Sequence, residues 1–201
     1  MAHKLTTVEM GRMSVEEFRK SEKLPLTVVL DNVRSQNNIG SVFRTADAFR
    51  VERIALCGIC STPPHREIHK TALGAEESVE WGYHESTVEC VKELKGKGYK
   101  VYAVEIAHDS LRLDDLNGVE IDGPVAIVFG NEIEGVQEEV MELCDGALEI
   151  PQEGTKHSLN VSCAAAIVMW EMYRNMRGAS AAPQSRGNGE GGGKGIEACG
   201  N

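Results

Sequence analysis

Three polar segments of the chain carry side chains that could hold a ligand. They are residues 31–38, residues 130–135 and residues 151–160, the last of which ends in Ser158-Leu159-Asn160. Each segment follows an apolar run that is typical of a β-strand. In open α/β sheets ligands bind beyond the carboxyl ends of the strands, so the segments would share one edge if the strands are parallel. The sequence therefore predicts a polar ligand site built from these segments.

Arg44 lies on the helix that is predicted after the first polar segment. At about 100° per residue, the apolar side chains of residues 38–49 form one stripe, and Arg44 falls on the opposite side. Arg44 is therefore either an ordinary solvated arginine or a functional residue. In the second case Gly40, one turn earlier, removes bulk beside it, so that a ligand or a second subunit can approach.

Glu132, Ser158 and Asn160 also have an ordinary explanation beside the functional one. Glu132 either caps the helix predicted over residues 136–144 or belongs to the site, where the glycines on both sides of it suit the close approach of a ligand. Ser158 and Asn160 stand where N-cap residues are expected. Capping does not exclude a ligand, because a helix N-terminus also attracts anions and polar groups.

The segment after Asn160 predicts a helix over residues 160–176 that is buried on all sides. From Cys163 to Trp170 a thiol is the only polar group, whereas a helix with one face in water would carry a charge in every turn.

Strands and helices alternate along the chain, which predicts an α/β fold with a mostly parallel sheet and helices on both faces. The predicted strands are 26–30, 53–57, 79–83, 100–105, 124–129 and 147–150, and the predicted helices are 38–49, 86–97, 136–144 and 160–176. The strongly apolar strand 124–129 should be central. We divide the chain into an N-terminal helical extension (1–24), one α/β domain (25–177) and a Gly-rich tail (178–201), which cannot bury enough surface to fold.

The composition is that of an ordinary globular domain, with 41% hydrophobic and 26% charged residues and a net charge of −10. Residues 1–70 hold 11 Lys and Arg against 8 Asp and Glu (+3), and the remainder holds 10 against 23 (−13). An anionic partner should therefore bind near the N-terminal third. Neither a signal-peptide core nor an apolar run of membrane-spanning length is visible, which predicts a cytoplasmic protein.

Cys57, Cys60, His65 and His69 are the one arrangement that suggests a metal, and its spacing argues against one. Four residues separate Cys60 from His65, where a zinc finger has roughly 12 between its ligand pairs. We therefore expect no metal site. The glycine fingerprints of dinucleotide and phosphate loops and the nucleophile elbow of hydrolases are also missing, which argues against nicotinamide, ATP and hydrolase chemistry.

The three polar segments resemble the motifs of the SpoU/TrmH family of RNA ribose methyltransferases, in the SPOUT class. The first motif is Asn38-Ile-Gly-Ser-Val-Phe-Arg44-Thr-Ala-Asp, the second is Ile127-Val-Phe-Gly-Asn-Glu132-Ile-Glu-Gly135, and the third is Ile150-Pro151 followed by Ser158-Leu-Asn160-Val-Ser-Cys-Ala-Ala-Ala. All three occur in order, each beside a predicted strand, which makes the resemblance specific. It covers roughly residues 24–176.

The resemblance implies a C-terminal trefoil (α/β) knot, a homodimer, and S-adenosyl-L-methionine as a cofactor held in the knot. Packing of helix 160–176 against its own sheet and against the partner subunit would explain its apolar surface. The residues implied to contact the cofactor, largely through backbone groups, are Gly130, Ile150 and Leu159. Those implied to act at the ribose 2′-hydroxyl are Arg44, Asn38, Glu132, Ser158 and Asn160. Because arginine stays protonated, we expect Arg44 to clamp the adjacent phosphate and stabilise the developing alkoxide rather than act as a base.

The implied partner is RNA, with transfer RNA favoured and ribosomal RNA left open, and neither DNA nor a membrane is expected. RNA binding requires neutralisation of phosphates, so we predict a basic patch composed of Arg12, Arg19, Lys20, Lys23, Arg34, Arg53, Arg66 and Lys70. Three alternatives remain: a base-methylating relative in the same class, a non-catalytic RNA-binding protein on the same fold, and a small α/β protein that binds another nucleotide.

Overall fold

The computed structural model describes residues 3–6, 9–116, 123–156 and 158–178. Its strands are β1 (Leu24–Asp31), β2 (Val51–Cys57), β3 (Glu80–His84), β4 (Lys100–Val104), β5 (Leu111–Arg112), β6 (Val125–Phe129) and β7 (Gly146–Glu149). Its helices are α1 (Val15–Lys20), α2 (Gln36–Ala48), α3 (Arg66–Ala72), α4 (Ala75–Ser78), α5 (Thr87–Gly96), α6 (Glu138–Met141) and α7 (Val161–Gly178), with a 3₁₀ turn at Leu113–Leu116. No helix in the described ranges is long and apolar enough to cross a bilayer.

The seven strands form one sheet in the order β3-β2-β1-β6-β4-β7-β5, and all of the pairings are parallel. The predicted central position of strand 124–129 is confirmed, because β6 is the fourth of the seven strands. Leu30 of β1 pairs with Leu56 of β2 and with Phe129 of β6, so the loops after these strands start at the same level. The segment after β7 must cross the carboxyl ends of β4 and β6, because α7 contacts α2 and β1.

Helices cover both faces of the sheet, as the alternation of elements predicts. In β1, Val28 and Leu30 join the core that contains residues of α2, α3 and α7, whereas Val29 joins a second core with residues of α5 and α6. Successive side chains of a strand point to opposite faces. The unbroken apolar run of β1 thus reflects burial on both sides.

Helix α6 is shorter than the predicted helix over residues 136–144. The backbone N–H of Val136 donates to the carboxylate of Glu105 (2.9 Å), and that of Gln137 donates to Asp31 (3.0 Å). These two residues are therefore held by the loops around the sheet edge, and the helix begins only at Glu138. The sequence analysis also missed α4 and β5, which are 4 and 2 residues long.

The prediction that helix 160–176 is buried on all sides is wrong for the single chain. Ala165, Val168, Met169 and Met172 are buried in the larger core. The opposite side of α7 is open, and Trp170 there is 48% exposed. We call this open side, made up of Cys163, Ala166, Ile167 and Trp170, the apolar face of α7.

Among the described residues of the N-terminal extension, the six-residue α1 is the only helix. Its start is fixed by a capping box, in which Ser14 and Glu17 bond each other's backbone N–H groups. Phe18 is 6% exposed and joins the larger core, so the end of the extension packs as part of the domain. Apart from Gly178, which ends α7, the predicted tail 178–201 lies outside the described residues.

Candidate active site

A cavity of about 650 Å³ opens at the carboxyl ends of β4, β6 and β7. This volume lies within the roughly 300–1,000 Å³ that is usual for small-molecule sites. The cavity is lined by six of the residues for which the sequence predicts a catalytic or cofactor-binding role: Gly130, Glu132, Ile150, Ser158, Leu159 and Asn160. Residues 104–106, 129–135 and 148–164, which are far apart in the sequence, therefore contribute to one cavity at the edge of the sheet.

A chain of hydrogen bonds connects the three motifs at the edge of this cavity. The amide nitrogen of Asn38 donates to Glu132 Oε1 (2.9 Å), and the amide nitrogen of Asn160 donates to Asn38 Oδ1 (3.2 Å). Asn160 Oδ1 accepts from the backbone N–H and from the hydroxyl of Ser162 (2.9 and 2.7 Å), so Asn160 is the predicted N-cap of α7. We call Glu132, Asn38, Asn160 and Ser162 the motif relay.

The direction of the motif relay follows from the charge of Glu132. A carboxylate only accepts hydrogen bonds, so Asn38 must turn its nitrogen to Glu132 and its oxygen to Asn160. Asn160 then donates with its nitrogen and keeps its oxygen for the helix N-terminus. Burial alone would raise the pKa of Glu132, but hydrogen bonds from Asn38 and from backbone N–H groups, that of Arg34 included, hold this pKa below its ordinary value. Glu132 is therefore ionised at neutral pH.

Asn131 folds the loop that carries Glu132, a role that the sequence analysis missed. The backbones of Asn131 and Gly135 exchange two hydrogen bonds of 3.1 Å. Asn131 Oδ1 accepts from the N–H groups of Ile133 and Glu134, at 2.9 Å each. A Cβ atom on Gly130 would overlap the backbone of Gly135. The tight backbone predicted here is therefore present. The backbone of the same loop, rather than a ligand, approaches Gly130 closely.

Asp31 is a second residue that the sequence analysis missed. It is fully buried at the end of β1. Its Oδ1 accepts from the Thr87 hydroxyl (2.6 Å) and from the Gln137 side chain (2.5 Å), and its Oδ2 accepts from the Gln137 backbone (3.0 Å). Asp31 thereby joins the end of β1 to the starts of α5 and α6. A lone carboxylate that ends an apolar strand was the available signal, because such a group must find donors when it is buried.

Arg44 does not line the cavity. It is exposed on α2, six residues beyond Asn38 and about 9 Å further along the helix axis. There it lines a second depression, together with Arg12, Arg50 and Ala166 of α7. The structure thus brings Asn38, but not Arg44, to the residues of the cavity.

Gly40 does not open space beside Arg44, so that functional explanation is wrong. Gly40 is buried, and a Cβ atom at this position would overlap the hydroxyl of Thr71 and the carbonyl of Ile68. The glycine is therefore needed for the close packing of α2 against α3.

The basic residues of the predicted RNA-binding patch fall into two groups. Arg12, Arg34, Arg66 and Lys70 are exposed. By contrast, Arg53 bonds Glu80 (2.7 Å) near the amino end of β2, away from the cavity edge. Arg19 donates to the carbonyl of Glu77 (2.5 Å). Lys20 pairs with Glu16 (2.7 Å), and the Lys23 ammonium lies 3.8 Å from the centre of the Phe18 ring. The structure therefore does not bring the whole predicted patch together.

The cysteines and histidines do not assemble into a metal site within the described ranges, where no group of three or more potential ligands is found. Cys57 and Cys60 are both buried. The neighbouring Cys90 side chain and burial raise the pKa of Cys57, and burial raises the pKa of Cys60 to about 11. His69 instead contacts Glu76 (2.5 Å).

The strand order and the motif loops that meet around one cavity define a parallel α/β protein with its site at the carboxyl ends of the strands. Residues 25–170 match the SpoU rRNA Methylase family. The chain is 36% identical over 167 residues to a tRNA (guanosine(18)-2′-O)-methyltransferase of Thermus thermophilus, and the match covers 83% of each protein. The chain belongs to the SpoU rRNA Methylase family.

Solved structures are similar over most of the chain. The TrmH/SpoU tRNA modifying enzyme of A. aeolicus is 27% identical with a TM-score of 0.71, covering 82% of this chain and 81% of that one. An AdoMet-bound rRNA methyltransferase of Sinorhizobium meliloti is 25% identical with a TM-score of 0.68, covering 81% of this chain and 62% of that one.

The lining of the cavity fits S-adenosylmethionine. Apolar side chains, those of Leu148, Ile150 and Leu159 among them, offer a surface for a planar base. Its charged side chains are those of Glu105, Glu132 and Glu134, and the described lining residues include no lysine or arginine. A cofactor with a sulfonium and an ammonium group matches this charge.

Proposed function

We propose that this protein transfers a methyl group from S-adenosylmethionine to a ribose 2′-hydroxyl of RNA, with transfer RNA as the favoured substrate. The observation that carries the proposal is the motif relay, which ties Asn38, Glu132 and Asn160 together at the rim of a cofactor-sized cavity. A protein that only bound RNA would not need this arrangement beside a cavity of that size. The name of the Thermus relative, a tRNA methyltransferase, supports the choice of RNA.

When bound, S-adenosylmethionine supplies an electrophilic methyl group on its sulfonium. The residues of the chain have to hold the ribose so that its 2′-oxygen lies in line with that methyl group. Glu132 orients rather than takes up a proton, because its lowered pKa makes it a weak base and a good hydrogen-bond acceptor. Asn38, Ser158 and Asn160 present further donors and acceptors at the same rim. Gly130, Ile150 and Leu159 hold the cofactor.

Arg44 clamps an RNA phosphate and stabilises the developing alkoxide while the proton of the 2′-hydroxyl passes to water, and it does so from the partner subunit of a homodimer. Two observations support this. Arg44 lies outside its own subunit's cavity, and the depression that it lines reaches Ala166 on the apolar face of α7. A helix face that exposes 40% of Ile167 and 48% of Trp170 is stabilised when a second copy covers it. We propose the C-terminal trefoil knot together with this dimer. We also propose a cytoplasmic location, because transfer RNA is found in the cytoplasm.

The RNA lies across Arg34, Arg66 and Lys70, with Arg12 beside Arg44. Arg34 stands next to Glu132, to which its backbone N–H donates (3.4 Å). Arg66 and Lys70 follow on α3, which packs on α2. These exposed cations neutralise phosphates close to the cavity, although the net charge of the chain is −10.

Methyl transfer to defined RNAs tests the proposal. The purified protein is incubated with labelled S-adenosylmethionine and with transfer RNA or ribosomal RNA, and the modified nucleosides are identified by mass spectrometry. We expect ribose-methylated nucleosides that disappear with Arg44→Ala, while cofactor binding by calorimetry is retained. Label on a base would identify a base-methylating relative, and absence of cofactor binding would identify a non-catalytic RNA-binding protein.

The oligomeric state tests the dimer separately. Trp170→Glu places a charge in the apolar face of α7, so the variant should be monomeric by light scattering while the wild type is dimeric. Ile59→Glu, at a residue that is 58% exposed elsewhere, is the matched control and should remain dimeric. Mixing inactive Arg44→Ala with an inactive Glu132→Gln variant should restore partial activity through mixed dimers. No recovery would contradict the supply of Arg44 by the partner.

A further inference from the structure

Glu105 is a half-buried carboxylate on the wall of the cavity, directly after β4. Its Oε1 accepts from the backbone N–H of Val136 (2.9 Å). A Cβ atom on Gly135 would overlap the same oxygen, so the carboxylate lies tight against the loop that carries Glu132. The three motifs do not include this residue.

The charge of Glu105 is not neutralised by a neighbouring cation among the residues that the structure describes. The ion pairs found there do not involve Glu105. The two other carboxylates on the cavity wall, Glu132 and Glu134, are both exposed. Water and salt screen an exposed charge far more than a half-buried one. Glu105 is therefore the least screened of the three carboxylates on the cavity wall.

We infer that Glu105 makes the cavity selective for the charged, methylated cofactor over its neutral-sulfur product. This inference rests on the proposed function, because it takes S-adenosylmethionine as the cofactor. Methyl transfer removes the positive charge from sulfur and leaves S-adenosylhomocysteine, which keeps the ammonium and carboxylate groups unchanged. The two ligands thus differ in one methyl group and one unit of charge. A carboxylate that is not paired with a cation favours the first ligand and promotes exchange of the spent product for new cofactor.

Glu105→Gln is the sharpest variant, because the amide oxygen can still accept from Val136 N–H while the charge is lost. Binding of S-adenosylmethionine, S-adenosylhomocysteine and sinefungin, in which an amine-bearing carbon replaces the methylsulfonium, is measured by calorimetry without RNA. We expect Glu105→Gln to weaken S-adenosylmethionine and sinefungin by about tenfold, the order of effect of one partly screened unit charge. S-adenosylhomocysteine should change by less than about twofold, since its sulfur carries no charge.

Glu139→Gln is the matched control, because it removes the same charge from an exposed residue of α6 outside the cavity. It should leave all three affinities unchanged. Equal losses of the methylated cofactor and the product in Glu105→Gln would overturn the inference and show that Glu105 only shapes the loop or binds the shared ammonium group. Unchanged affinities would overturn it as well.

The wild type offers a test that does not depend on how the variant folds. Raising the salt concentration should weaken S-adenosylmethionine relative to S-adenosylhomocysteine, because only the first carries the additional charge and Glu105, being half-buried rather than buried, is still partly screened. A salt-independent ratio of the two affinities would contradict the inference while leaving the proposed function intact. A wild-type protein that binds neither ligand would instead refute the proposed function itself.

Discussion

Asn160 joins two tasks that substitution can separate. Its side-chain oxygen caps α7, and its side-chain nitrogen donates to Asn38. In Asn160→Ala both are lost. The missing cap costs about 1 kcal/mol, and the exposed 3.2 Å hydrogen bond contributes about 0.5 kcal/mol more. For a chain of this length the sum of about 1.5 kcal/mol lowers Tm by roughly 3–6 °C.

Asn160→Asp keeps the cap and breaks the motif relay. Aspartate accepts from the helix N–H groups as well as asparagine does, and its charge is favourable at a helix N-terminus. It cannot donate to Asn38 Oδ1, so two acceptors would face each other across the 3.2 Å contact. We expect Tm close to the wild type and a methylation rate lowered by about tenfold, which corresponds to about 1.4 kcal/mol.

Thermal unfolding at a fixed protein concentration and single-turnover methylation of RNA measure the two effects. Fixed concentration matters because the stability of the proposed dimer would depend on it. Full activity of Asn160→Asp would refute the donor role of Asn160. An unchanged Tm in Asn160→Ala would refute its role as the cap.

Three further predictions follow from the packing and the charges. In a denaturant titration, Gly40→Ala should destabilise the protein by about 1–3 kcal/mol, since the new methyl group overlaps α3. The control Gly96→Ala, whose methyl group meets open space, should be neutral or stabilising. The difference in unfolding free energy between the wild type and Glu132→Gln should be constant above the ordinary glutamate pKa of 4.5. It should vanish as the pH falls through the lower pKa of the folded state, because a depressed pKa stabilises the fold only while the carboxylate is ionised. A difference that grew towards low pH would contradict this sign. In a filter-binding assay, reversing the charges of Arg34, Arg66 and Lys70 should weaken RNA binding and flatten its salt dependence. Reversing the charge of Arg53 should do neither. Equal effects of the two sets of changes would extend the RNA surface to the amino end of β2.

The strands and the motif loops could be predicted because their signals are local. The apolar runs of β1 and β6 are unbroken, so only burial on both faces accounts for them. Ser158 and Asn160 precede an apolar run, which marks a helix start whatever the rest of the fold is. The family resemblance joined these local signals into a site, and six of the expected residues line one cavity.

Other features depend on residues that are distant in the sequence. The length of α6 is set by Glu105 and Asp31, which hold the residues before it. Gly40 has to be a glycine because α3 packs closely against it. The residue spacing of α2 does not reveal that α3 is its neighbour. Asp31 could be recognised as unusual from its strand, but its donors at Thr87 and Gln137 could not be identified.

By itself the sequence determined that this is a parallel α/β protein of the SpoU family with its site at the carboxyl ends of the strands, because apolar periodicity and motif residues are properties of short segments. Only the tertiary structure decided how those segments meet. It joined Glu132, Asn38 and Asn160 in one directed chain of hydrogen bonds, it separated Arg44 from the cavity, and it left one face of α7 uncovered. The physical reason is that the direction of a hydrogen bond and the burial of a helix face depend on partner residues. These residues are distant in the sequence and meet only in the folded protein.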